Sequence, residues 1–544
     1  MPFRVLTVGS IVLLVSVCLG IAMFETLAPG GWTVAKAIML ASCLGAAPWV
    51  GFCAANGAIG FVLRLPRPAI PPATPIDGVL PRTAIALTVR NEDMGKVLPP
   101  VRRLLDGLDA AGAGDAFALF VLSDTGDPST AEAESHAAAA FRASDRDPER
   151  IRYRRRHQNV GFKAGNIMEF LDHRADGFEL MLVLDADSDM TPAAVLRLVA
   201  VIRDDPTLGI VQHLTVGLPA SSAFPRLFQF GMRAGMRTWA TALAWWQDDA
   251  SVYWGHNAVV RIAPFRTHCK LPLLPSGEPI LSHDQVEAAM LRGAGWGTRL
   301  LPEEDGSYEA NPPALPEFMR RELRWLAGNF EYRHLLWMPG LQPMGRWQLV
   351  QAILLFGSAP FYLVFLLAAA WAAATDAHSP FPWRPALAAT AIWAGALYAP
   401  KLLGYLEVLL SRAKRGLYGG ARRVLSGMLL ETAFTLLLDA INALAKTVAT
   451  VRIGLGVRAG WTSQNRTDRG VSWSEAARLL WPQTVLGLLV FAGFSRAGWT
   501  AVLWAAPFAI GLIVAIPFCV ISADPAVGAW LREKRLAAIP EELS

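Results

Sequence analysis

Cysteine is scarce, with five in 544 residues. Cys18, Cys43, Cys53 and Cys519 sit in apolar runs and Cys269 stands alone, so no disulfide framework or thiolate metal site emerges. Charge is scarce too. Only 17% of positions are charged against 53% hydrophobic, a balance that excludes an ordinary soluble protein and demands a lipid phase. No Walker-type phosphate loop occurs. The net charge of +5 arises mainly from Lys and Arg beside apolar runs, which does not point to nucleic acid as a partner.

What is abundant is apolar sequence in long runs. Val5 to Phe24 and Thr33 to Leu63 are long enough, as helices, to cross about 30 Å of hydrocarbon. Later runs at Gln348 to Thr375, Ala386 to Leu410, Val485 to Phe494 with flanks, and Trp499 to Ile521 repeat the pattern. The first run reads as a retained span, because it is long for a signal-peptide core and a second span follows almost at once. Arg64, Arg67 and Arg82 on one side, and Arg412, Lys414, Arg415, Arg422 and Arg423 on another, place both neighbouring loops in the cytosol. The chain therefore divides into two spans over 1–65, a soluble domain over 66–340, two spans over 341–410, a cytosolic stretch over 411–477, two spans over 478–525 and a short tail over 526–544. Within the fourth part, Glu431 to Leu455 is interrupted by Asp439, Asn442 and Lys446, and the expectation is an interfacial helix instead of a span.

In the soluble domain, a Pro-rich linker from Pro66 to Pro75 leads into short apolar runs at Thr83 to Val89, Phe117 to Ser123, Phe178 to Leu184 and Leu208 to Leu214. Helical patterns at Lys96 to Leu108, Ser129 to Ala143, Ala164 to Asp172 and Pro192 to Arg203 alternate with them. Strand and helix in alternation predict an open parallel α/β sheet, whose ligands bind beyond the carboxyl ends of the strands.

Those ends carry the chemistry. Asp185-Ala186-Asp187 follows directly on Met181-Leu182-Val183-Leu184, and two carboxylates one residue apart on such a turn can grip a hard divalent cation that also holds a diphosphate. Ser123-Asp124 ends another strand, where Asp124 suits either a nucleoside contact or a helix cap. Gly161 to Asn166 opens a helix, so its N–H groups and Lys163 suit phosphate oxygens, with a solvated lysine as the alternative. Asp284 begins an apolar-patterned helix, where a cap is the plain role. Arg320-Arg321-Glu322-Leu323-Arg324-Trp325 joins guanidinium groups to an indole just before the membrane, suited to a leaving diphosphate and a sugar face, or to an interfacial anchor.

In order, Asp124, Asp185-x-Asp187, Asp284 and Arg321 to Trp325 resemble the D, DxD, D, QxxRW signature of processive family 2 glycosyltransferases. Tyr253 to Ala258, Ile280 to Glu287, Ala294 to Gly297, Gly306 to Glu309 and Arg324-Trp325-x-x-Gly328-Asn329 are similar to the glucans biosynthesis glucosyltransferase H group, over roughly residues 80 to 345. The resemblance implies a GT-A (Rossmann-like) α/β cytosolic domain inserted between transmembrane helices of a polytopic inner-membrane protein. It further implies UDP-glucose as donor, a growing β-glucan as acceptor, Mg²⁺ or Mn²⁺ as cofactor, and periplasmic glucan-processing proteins as partners. By it, Asp124 holds the uridine end, Lys163 the diphosphate, Asp185 the donor and Asp187 the metal. Asp284 is the general base, Arg324 steadies the leaving UDP, and Trp325, Trp254 and His256 line the acceptor site. Trp461 to Arg466 with Asp468 to Gly470 resembles a gating loop. Arg321 and Glu322 depart from the residues usual in cellulose synthases, which shifts weight away from a cellulose, chitin or hyaluronan type product. A pure transporter leaves the donor-site pattern unexplained.

Overall fold

The computed structural model describes residues 2–68, 78–376, 381–457 and 468–543, so most of the Pro-rich linker and Trp461 to Arg466 of the expected gating loop lie outside the described residues. The soluble part is built from β1 (Thr83–Val89), β2 (Phe117–Ser123), β3 (Ile151–Arg155), β4 (Leu180–Asp185), β5 (Asp189–Met190), β6 (Leu208–His213), β7 (Val216–Gly217), β8 (Ala258–Arg261), β9 (Gly297–Leu301) and β10 (Ser307–Glu309). Seven form one sheet in the order β3-β2-β1-β4-β8-β6-β9, and β5, β10 and β7 form a small second one.

The four expected runs appear as β1, β2, β4 and β6. Their near-continuous apolarity follows from burial on both faces: Ile85 and Leu87 of β1 enter one core layer, while Ala84 and Ala86 enter the other with Phe120, Phe170 and Val183. The four expected helices lie at Met94–Ala110, Pro128–Ala143, Phe162–His173 and Pro192–Asp204. Thr191 caps the last of these through Ala194 N at 3.2 Å, with Pro192 at its first position.

The sheet is mixed, not parallel throughout as expected. β8 pairs antiparallel with both β4 and β6 and separates them. It comes from the far side of a long helix, Ala223–Gln247, that carries the chain away from the sheet and returns it reversed.

The six expected spans have counterparts in Pro2–Leu27, Val34–Arg64, Pro343–Thr375, the bent pair Trp383–Leu397 with Ala399–Leu410 (72°), Trp473–Ser495, and the bent pair Trp499–Ile513 with Ala515–Ser522 (60°), each long and apolar enough to cross a membrane. A seventh helix, Ala421–Gly454, passes the same criterion over the stretch expected to be interfacial. Its interrupting polar residues are engaged: Tyr398 Oη donates to Asp439 at 2.7 Å, and Lys446 pairs with Glu322 at 2.9 Å. It touches the Ala223–Gln247 helix through Gly427 and Phe230, and the Leu315–Glu331 helix through Lys446 and Glu322.

Soluble and apolar parts meet without slack. A Cβ on Gly60 would lie 1.9 Å from Thr238 O, and one on Gly404 would lie 2.2 Å from Ala234 O. The Ala223–Gln247 helix is thus clamped backbone to backbone between two span helices.

Candidate active site

β4 ends at Asp185, paired in register with Thr88 of β1. Thr88 Oγ1 donates to Asp185 Oδ1 at 3.2 Å, and Asp185 N donates to Ser188 Oγ at 3.0 Å, which closes the turn that carries Ala186 and Asp187. Asp187 is half-buried at its tip. It lies within electrostatic reach of Glu309 and Arg321, so both the small sheet and the Leu315–Glu331 helix face the same turn.

Lys163 sits in the first turn of its helix, after Gly161 with φ +74°. A Cβ on Gly165 would lie 2.0 Å from Val160 O, so this turn is wound too tightly for a side chain there. The ammonium donates to Asp185 Oδ1 and, at 2.7 Å, to the carbonyl of Gly255. Gly255 (φ +83°) belongs to the loop before β8, and a Cβ there would stand 2.7 Å from Asp284 Cγ. One lysine and one glycine therefore join the Asp185 turn to Asp284, about a hundred residues later in the chain. The loop is pinned by Asn257, fully buried, whose N donates to Val183 O at 2.8 Å and whose Nδ2 donates to Ser307 Oγ at 3.0 Å and to Tyr308 O at 3.1 Å.

Asp284 opens the helix Asp284–Gly293, and the residue before it is buried His283. His283 Nε2 is 3.2 Å from Asp284 Oδ1, and Nδ1 is 2.9 Å from Glu287 Oε2. Burial pulls the imidazole pKa down, but the carboxylates of Glu287 and Asp284 outweigh it and raise it to about 9. The Leu315–Glu331 helix docks on the same turn: a Cβ on Gly328 would meet Ser282 Oγ at 2.1 Å, and Glu331 Oε2 accepts from Leu281 N at 2.8 Å. On that helix Trp325 is exposed and Arg321, buried, stacks over its ring at 4.5 Å. Burial lowers the Arg321 pKa, while Glu322, Glu309 and Asp187 oppose that. His256 Nε2 is 3.5 Å from Glu309 Oε2, and burial raises the Glu309 pKa against the pull of His256.

The structure thus brings Lys163, Asp185, Asp187, Asp284, Trp254 and His256, with the Leu315–Glu331 helix and its Trp325, to one edge of the sheet; Arg324 lies on the same helix. Trp254 joins them through its N, which donates to Gln212 Oε1 at 2.6 Å at the end of β6. Asp124 differs in its surroundings. Its carboxylate is gripped by Arg156 in two bonds of 2.7 Å, both side chains nearly buried, so it first neutralises that arginine.

Sequence reasoning placed Gly255, His283, Glu287 and Glu309 within strings similar to the family and Arg321 among guanidinium groups suited to a diphosphate, but gave none of the first four a role of its own. A signal existed for the pair His283 and Glu287, four residues apart across the first turn of a predicted helix and hence on one face. None existed for the individual roles of Gly255 and Glu309, whose neighbours are distant in sequence.

A divalent cation fits this donor set. Asp185 and Asp187 are half-buried, and among the described residues no group of three His, Cys, Asp or Glu forms a ready cage. Two carboxylates with room for outside oxygens suit a hard cation that keeps water and shares substrate phosphates.

The chain matches the model of "Glycosyl transferase family group 2" over 180–400 and that of "Glycosyl transferase family 2" over 85–269. It is 32% identical to Glucans biosynthesis glucosyltransferase H of Xanthomonas campestris pv. campestris, covering 96% of this chain and 84% of that one. To the protein of the same name from Caulobacter vibrioides it is 34% identical, covering 97% of this chain and 84% of that one. A solved mannosyltransferase from Pyrobaculum calidifontis, in complex with GDP-Man and Mn²⁺, overlaps 70% of this chain and 100% of its own at a TM-score of 0.44 and 16% identity, a likeness too slight to bear on the site.

Proposed function

The chain belongs to glycosyltransferase family 2, in its glucans biosynthesis glucosyltransferase H group, and from that premise we propose an inverting glucosyltransferase that polymerises glucose from UDP-glucose into the β-glucan backbone of osmoregulated periplasmic glucans. The observation that carries this reading is the Lys163 bridge between Asp185 and the Gly255 carbonyl, with Gly255 against Asp284. It sets a diphosphate-binding turn beside a carboxylate, with an exposed indole close by.

In this reading, Asp284 takes the proton of the acceptor hydroxyl as it attacks the anomeric carbon of the donor. Lys163 and Arg324 hold the diphosphate and take up charge on the departing UDP. Trp325, Trp254 and His256 shape the acceptor site and exclude water from it. Asp185 and Asp187 would hold a Mg²⁺ or Mn²⁺ ion, which supplies Lewis-acid stabilisation of the diphosphate. One base suffices for inversion, since no glycosyl-enzyme intermediate forms.

The soluble domain lies on the cytosolic side of a bacterial inner membrane, as the basic residues beside the spans favour. Passage of the product across the bilayer is supported by a cavity of about 650 Å³ among the span helices, lined in part by Trp49, Tyr362, Trp393, Asn442 and Trp504. Indole and phenol rings suit pyranose faces.

Purified protein incubated with labelled UDP-glucose and Mg²⁺ should yield a β-glucan, whose linkages are then mapped. A product built from another sugar would overturn the donor assignment, and free glucose with no polymer would overturn polymerisation.

A further inference from the structure

We propose that His283, held by Glu287, is the positioning residue of the transfer step: as a buried imidazolium it donates to one oxygen of Asp284 and leaves the other free for the acceptor proton. This rests on the assignment of Asp284 as the base.

The argument is one of donors and acceptors. Both ring nitrogens of His283 face carboxylate oxygens, Nδ1 to Glu287 at 2.9 Å and Nε2 to Asp284 at 3.2 Å. A carboxylate only accepts, and a neutral imidazole donates from one nitrogen only. In the neutral ring one lone pair would therefore point at an anion. The doubly protonated ring turns a positive N–H towards each carboxylate, hydrogen-bonding Glu287 through Nδ1 and pairing in charge with Asp284 through Nε2.

The surroundings keep it so. His283 is 6% and Glu287 2% exposed, so the bond between these two is worth more than at a surface. Lys163, from the Phe162–His173 helix, adds one opposing positive charge. Tyr253, from the loop before β8, and Tyr332, from the turn after the Leu315–Glu331 helix, stay neutral because burial raises their pKa values. Cys269, whose Sγ donates to Glu287 O at 3.5 Å, is pushed up by burial and stays a thiol. The charged groups facing the ring are thus Asp284, Glu287 and Lys163.

Two consequences follow for Asp284. A cation beside one oxygen fixes the rotation of the carboxylate and leaves the other oxygen to the acceptor. Loss of the imidazolium proton turns a lone pair towards Asp284 and removes that hold, so activity falls on the alkaline side as His283 deprotonates. The folded-state value of about 9 lies above the ordinary 6.5, so the hold is complete at neutral pH and is lost as pH rises through about 9.

The test is the pH profile of kcat in the full-length protein, with UDP-glucose affinity measured alongside. The parent should show an alkaline limb near pH 9. Glu287→Gln removes the anion that sustains the imidazolium, and the limb should move down by about two pH units with donor affinity unchanged. Glu287→Asp, which keeps the charge, should move it less. His283→Gln still offers a donor to Asp284 but does not titrate in this range, so kcat falls and the limb disappears. Should Glu287→Gln fail to fold, His283→Gln decides alone. A merely structural pair would lower kcat evenly across pH, and the parent's limb persisting in the variants overturns the proposal. Asp284→Asn separates the premises: if it makes glucan at the parent's rate, the base assignment itself fails, whereas an inactive Asp284→Asn with an unmoved limb in Glu287→Gln overturns only the role of His283.

Discussion

The two sides of the site are made differently. On the donor side, Asp185 and Asp187 stand half-buried at the end of a parallel strand, held by Thr88 and by Ser188 in their own turn. On the base side, Asp284 is framed by Gly255, His283, Glu287 and, through Ser282, Gly328, groups drawn from three separate segments and mostly buried. Under the proposed roles the first is a half-buried rim suited to a cation that also holds a substrate diphosphate. The second is finished before any ligand arrives, as a group that must lie ready within hydrogen-bonding reach of an acceptor hydroxyl requires.

That contrast predicts opposite failures. Asp284→Asn should abolish glucan synthesis, by about 10² to 10⁴ in rate, while calorimetry finds UDP-glucose bound as in the parent. Asn caps a helix about as well as Asp, so a small effect would reduce Asp284 to a cap. Gly255→Ala strikes the junction, since its Cβ would stand 2.7 Å from Asp284 Cγ at a φ of +83°. It should cost kcat far more than donor affinity, and equal loss of both would mean that the two sides are not separable. Asp187→Asn is the mirror case, with metal-dependent UDP-glucose binding lost in titrations with and without Mg²⁺ while the fold is kept; unimpaired binding would remove Asp187 from the metal. Least affected should be Asp189→Asn. Asp189 bonds Arg103 at 2.7 Å, but that arginine is largely exposed, and such pairs contribute about 0 to 1 kcal/mol. A loss of activity comparable with that of Asp187→Asn would show the cation site to be wider than two residues.

The same contrast explains what the sequence revealed. β1 and β2 coincide with their expected limits because a strand buried on both faces is apolar throughout, and its end is marked where polar residues begin. Asp185 and Asp187 were legible for the same reason, as polar residues at the end of an apolar run, whereas Lys163 was legible as a cation in a glycine-bearing helix start. β3, Ile151-Arg152-Tyr153-Arg154-Arg155, was not: it lies at the sheet edge and spends its arginines on Asp124, Thr125 and Asn166 through itself and Arg156. β8 has four residues, and nothing in Ala258-Val259-Val260-Arg261 tells which neighbours it joins or in which direction. The Ala421–Gly454 helix, expected to be interfacial from Glu431 on, is long and apolar enough to cross a membrane. Asp439 and Lys446 read as breaks in an apolar run, yet each has a partner on another helix, Tyr398 and Glu322. The role of Gly255 was not legible in the sequence, because its importance is a missing side chain opposite a residue far along the chain.

The clamp at Gly60 and Gly404 has a mechanical consequence. With backbones touching at Thr238 and Ala234, any tilt of the catalytic body against the span helices would either overlap atoms or open a gap in packing dense enough to transmit strain. The Ala223–Gln247 helix is therefore fixed against both span helices. Under the proposed function, a polymer lengthening beside Asp284 would be fed past a mount that this helix holds in place.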